Sequence, residues 1–86
     1  MPSGPNHIVE VKAPIAGIFY RAASPEDPPY IEIGSTVSPK QVLCLLETMK
    51  VFTKVRSVVP GKVVEILVQN GETVGKGQTM VLIEHA

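Results

Sequence analysis

The sequence contains a single cysteine, Cys44, so it cannot close an internal disulfide. It opens with no signal peptide, and no apolar run is long enough to cross a bilayer. A soluble cytoplasmic setting is therefore expected, or an organelle stroma if the chain comes from a longer targeted precursor. Charge of neither sign is in excess: eight Lys and Arg balance eight Asp and Glu. No net field draws the chain to nucleic acid or to an anionic membrane, and neither is expected as a partner. Histidine is limited to His7 and His85, both close to the ends, and the sole aspartate is Asp27. With these parts no catalytic triad and no metal cluster can be argued, so a carrier or binding role is favoured over an enzyme. The glycine-rich "GETVGKGQ" lacks the Walker spacing and leads into no helix, so it is read as a turn.

Helical periodicity is also missing. Short runs rich in Val, Ile and Leu recur about every ten residues between Gly, Pro and Ser, which predicts an all-β fold. Strands are expected over Ile8–Lys12, Ile18–Arg21, Ile31–Ile33, Gln41–Glu47, Val51–Arg56, Lys62–Val68 and Met80–Glu84. At 86 residues the chain holds one domain, expected over 8–86, with 1–7 a linker or expression remnant. Cys44, in the middle of "VLCLL", is expected to pack as a small apolar residue.

An internal repeat organises these strands. "GSTVSPKQVLCLLE" (34–47) aligns with "GETVGKGQTMVLIE" (71–84) at an offset of 37, Gly34 to Gly71. Upstream, "VKAPIAGIF" (11–19) resembles "VRSVVPGKV" (55–63) at an offset of 44, Gly17 to Gly61. The difference of seven between 44 and 37 implies an insertion in the first half, supplied by the proline-rich "ASPEDPPY". Two copies of so short a motif predict two half-domains related by a pseudo-twofold. The expected fold is two small antiparallel sheets closed as a flattened barrel.

The junction between the copies falls at "ETMKVF" (47–52), where a two-residue hairpin is expected but Asn, Asp and Gly are absent. A turn of the favoured mirror type needs positive φ at both central positions, costing an ordinary residue on the order of 1 kcal/mol or more. A local cost of this kind points to function, and the residue it presents is Lys50. A free amine on a rigid tip can attack an activated carboxyl and become the root of a swinging arm.

In combination these segments resemble the biotin carboxyl carrier domains, specifically the acetyl-CoA carboxylase carrier subunits. "ETMKVF" resembles their biotin-attachment motif, "APIAGIFYRAASPEDPPYIEIGSTV" their insertion-bearing region, and "GKVVEILVQNGETV" and "MVLIE" their second half. The resemblance implies an eight-stranded flattened barrel with biotin on Lys50, flanked by Glu47, Thr48, Met49 and Val51. It also implies a thumb formed by Ser24, Pro25, Glu26, Asp27, Pro28, Pro29 and Tyr30, lying near the biotin. A biotin protein ligase would load Lys50, a biotin carboxylase would charge the biotin, and a carboxyltransferase would unload it. The domain itself would be non-catalytic and monomeric when isolated. The family usually reads Ala-Met-Lys-Met, so Thr48 and Val51 depart from its pattern. The other readings are a lipoyl carrier of a 2-oxo acid dehydrogenase and an unmodified binding module of the same fold.

Overall fold

A computed structural model describes residues 7–85. It contains eight strands and no helix among those residues: β1 His7–Lys12, β2 Gly17–Tyr20, β3 Thr36–Val37, β4 Val42–Thr48, β5 Val51–Arg56, β6 Gly61–Ile66, β7 Thr73–Val74 and β8 Thr79–His85. They form two antiparallel four-stranded sheets, one ordered β1-β8-β6-β3 and the other β5-β4-β2-β7.

Six of the seven expected strands are present. Ile31–Ile33 is not a strand. Residues 32–35 are instead taken up by a turn in which the Ser35 N–H donates to the Glu32 carbonyl at 2.9 Å and the Glu32 N–H to Ser35 Oγ at 2.9 Å. Ile31 is buried in the core just before it. The strand of this region is β3, which begins three residues past Ile33, and its repeat partner β7 was likewise absent from the expected set. The end of β6 also differs, falling at Ile66 rather than Val68. The expected linker over 1–7 lies outside the described residues except for His7, which begins β1.

The repeat offsets carry one sheet onto the other. A shift of 44 takes β1 and β2 to β5 and β6, and a shift of 37 takes β3 and β4 to β7 and β8. The order β1-β8-β6-β3 thereby becomes β5-β4-β2-β7. Each sheet takes two strands from each copy, so the halves interleave and neither can bury its apolar face without the other.

The hydrogen bonds obey the same rule. Gly34 N–H donates to the Val63 carbonyl and Gly71 N–H to the Phe19 carbonyl, both at 2.7 Å. Lys40 N–H donates to Ser57 and Gly77 N–H to Ala13, at 2.7 and 2.8 Å. The left-handed residues match as well: Gly34 with Gly71, and Lys40 with Gly77.

Related bulges shape the core. Leu43 is an extra residue of β4 opposite β5, and Met80 an extra residue of β8 opposite β1. A bulge breaks the in-out alternation of a strand. Leu43 and Cys44 both turn inward with Leu46, as do Met80 and Val81 with Ile83, and all six are fully buried. This explains why "VLCLL" and "MVLI" are continuous apolar runs. Phe19, Val37, Val63 and Val74 complete the centre of the core.

Candidate functional site

The β4–β5 hairpin has Thr48 paired with Val51, leaving Met49 and Lys50 as the whole turn. Their φ angles are 52° and 67°, the left-handed pair that a mirror-type turn demands. Two other interactions fix this unfavourable backbone. The Glu47 side-chain oxygen accepts the backbone N–H of Lys50 at 2.9 Å, satisfying a donor at the tip. Thr48 Oγ1 donates to the carbonyl of Ala16 at 2.5 Å, tying the end of β4 to the segment that leads into β2.

The second bond has a repeat counterpart: His85, offset 37 from Thr48, places Nδ1 at 3.0 Å from the carbonyl of Pro60, offset 44 from Ala16. Tying a strand end to the neighbouring chain at this position is thus a property of the scaffold, met by different side chains. Gly17 permits the close approach. A Cβ there would lie 2.7 Å from the Glu47 carbonyl oxygen and 2.8 Å from Thr48 Oγ1. Gly61, its counterpart, lies under the Glu84 carbonyl in the same way.

Lys50 is exposed, Met49 is 88% exposed and Val51 64% exposed. Phe52, 57% exposed, tilts against Tyr20 of β2 with ring centroids 5.9 Å apart. The expected site residues 47–51 are therefore brought together at one tip.

The thumb is rooted on the same strand β2. Tyr30 N–H donates to the Arg21 carbonyl at 2.8 Å, closing the loop at its base. Inside it, Asp27 N–H donates to the Ser24 carbonyl at 3.1 Å, and Ser24 Oγ donates to the Asp27 carboxylate at 3.0 Å. Glu26 lies 3.4 Å from the same hydroxyl, and Glu26, Asp27 and Pro28 are exposed. A cleft of about 570 Å³ opens between the thumb and β5, walled by Ser24, Pro25, Asp27 and Pro29 on one side and by Tyr20 and Phe52 on the other. Phe52 thus joins hairpin and thumb, and sequence reasoning missed it. The readable signal was an aromatic two residues beyond Lys50 on the face that Tyr20 shares.

Cys44 takes no part: it is fully buried, and burial pushes its thiol up to about 12. Among the described residues no group of three His, Cys, Asp or Glu could hold a metal ion.

Residues 9–83 match the family described as "Biotin-requiring enzyme". The chain belongs to that family. Biotin-requiring proteins attach the cofactor covalently, and the exposed amine of Lys50 on a fixed tip fits such attachment. The chain is 39% identical over 77 residues to the biotin carboxyl carrier protein of acetyl-CoA carboxylase from Nostoc, covering 90% of the chain and 42% of that protein. It is 41% identical over 76 residues to the protein of the same name from Chlamydia trachomatis, covering 88% and 46%. The chain thus spans less than half the length of these two relatives. Its fold matches a single-chain, multi-domain long-chain acyl-CoA carboxylase with a TM-score of 0.77 at 19% identity, covering 98% of this chain and 8% of that one.

Proposed function

We propose that Lys50 is acylated by biotin and that the domain carries a carboxyl group between the biotin carboxylase and the carboxyltransferase of an acetyl-CoA carboxylase. The observation that carries this reading is the tip: an exposed lysine held at φ 67° between two strands, in a family that requires biotin. Lys50 Nζ attacks the activated carboxyl of biotinyl-adenylate on a biotin protein ligase. An amide forms, AMP leaves, and the lysine loses its proton and its charge. Once bound, biotin supplies the ring nitrogen that holds the carboxyl group. The chain itself catalyses nothing. Glu47 and Thr48 hold the root of the arm, and the exposed Met49 and Val51 offer the ligase an apolar grip on either side of Lys50. The names of the Nostoc and Chlamydia relatives support acetyl-CoA carboxylase as the parent complex.

Intact mass after incubation with biotin, ATP and a biotin protein ligase tests the reading. The wild type is expected to gain one biotinyl group and Lys50→Arg none. No gain on the wild type, or an equal gain on the variant, overturns it. Preferential loading by a lipoate ligase would transfer the same lysine to a lipoyl carrier role.

A further inference from the structure

Asn70 stands outside the hairpin and outside the insertion, in the turn that leads to β7, and a turn former before glycine ordinarily calls for no explanation. The repeat supplies a control. Its counterpart at offset 37 is Ile33, also followed by a left-handed glycine, with φ 97° at Gly34 and 87° at Gly71. The two turns close alike, Ser35 N–H to the Glu32 carbonyl at 2.9 Å and Glu72 N–H to the Gln69 carbonyl at 3.0 Å. Ile33 makes this turn while 66% exposed, so the turn itself does not need asparagine.

What Asn70 alone does is accept the backbone N–H of Arg21 on its Oδ1, at 2.9 Å. On the same edge of β2, Phe19 N–H donates to the Glu72 carbonyl at 2.8 Å, and Gly71 N–H to the Phe19 carbonyl at 2.7 Å. The side-chain carbonyl therefore extends the β2–β7 ladder by one bond after the backbone of β7 has turned away. That bond falls on the residue from which the thumb springs: Arg21 is held through its N–H by Asn70 and through its carbonyl by Tyr30. Asn70 also lines the cleft between thumb and β5.

We infer that Asn70 is a positioning residue for the thumb, fixing its root from the second half of the chain and so setting the cleft beside the Lys50 hairpin. The functional consequence rests on the proposed carrier role, whereas the anchoring does not. It is measured on unmodified protein by amide hydrogen exchange. In Asn70→Ala the Arg21 amide and the thumb amides between Ala22 and Tyr30 are expected to exchange about fivefold faster, the loss of one net hydrogen bond of average strength. Leu46 and Ile83 should keep their rates. Asn70→Asp keeps the acceptor oxygen and is expected to restore wild-type exchange, and Ile33→Asn should leave the thumb unchanged. Unchanged exchange at Arg21 in Asn70→Ala, an equal increase in Asn70→Asp, or a uniform increase that includes Leu46 and Ile83 would each overturn the inference. If the anchoring is found but ligase adds no biotin, it is the carrier reading that fails.

Discussion

The two copies of the repeat share the turn hydrogen bonds of Gly34 and Gly71, the left-handed pairs Gly34/Gly71 and Lys40/Gly77 and the bulges at Leu43 and Met80. Apart from a bulge at Val64 of β6 that β2 lacks, they differ most at two places. The first copy has the thumb where the second has no insertion. At the junction, Met49 and Lys50 bridge Thr48 to Val51, whereas the related position of the other sheet pairs His85 with His7. The side chains change accordingly. The aromatic contact of Tyr20 with Phe52 corresponds at offset 44 to Val64 and Ile8, and the Asn70 anchor corresponds to Ile33. What is common to both copies builds the barrel, and the thumb, the Tyr20–Phe52 contact and the Asn70 anchor, each found once, meet at the cleft beside the Lys50 hairpin. An internal duplication thus separates scaffold from site without any second protein for comparison.

The largest effects should test the shared part. Leu46 and Ile83 are repeat partners, both fully buried, so Leu46→Ala and Ile83→Ala should each cost about 2–5 kcal/mol in urea unfolding. The two costs should agree closely; one variant losing less than half as much as the other would break the equivalence of the sheets. Next come the close approaches. Gly17→Ala and Gly61→Ala each drive a methyl into a backbone carbonyl, at an expected cost of about 1–3 kcal/mol. Only Gly17→Ala should also slow ligase modification of Lys50, because only there does the displaced strand end carry the tip.

The smallest effect concerns Cys44, whose partner Val81 is equally buried. Cys44→Val should change stability at neutral pH by less than about 1.5 kcal/mol. Alkaline pH separates the two chains. The folded thiol ionises only at about 12, whereas the unfolded thiol does so near the ordinary 9.0. Its contribution is fully present below about pH 9 and is lost as pH rises toward 12. The variant should show less alkaline loss in urea titrations repeated across that range.

The repeat was legible because a β-scaffold with two equivalent sheets needs glycine, small residues and apolar pairs at equivalent places. Where strands were judged one by one, β3 and β7 were missed, since two residues of Thr-Val give no alternation to detect. Aligning Thr36-Val37 with Thr73-Val74 held that information. Ile31–Ile33 misled because isoleucine favours strands, yet the turn closed by Ser35 takes those residues for another purpose. At the candidate site, the two-residue turn of Met49-Lys50 was legible from its poor turn chemistry. Phe52 and Asn70 were not, because their roles depend on Tyr20 and Arg21, more than thirty residues away in each case, which only the folded chain brings near.

The shortness of the β4–β5 turn bears on how accurately an amine can be delivered. Each loop residue adds two soft backbone torsions, and positional error accumulates with every one of them. Lys50 is itself the residue before β5, so no further loop residue separates it from the sheet on that side, and on the other only Met49 intervenes. Uncertainty in the position of Nζ therefore arises almost entirely from the lysine's own side-chain bonds. A partner that grips Met49 and Val51 registers the amine to within one side chain's reach, whichever way the rest of the barrel is turned.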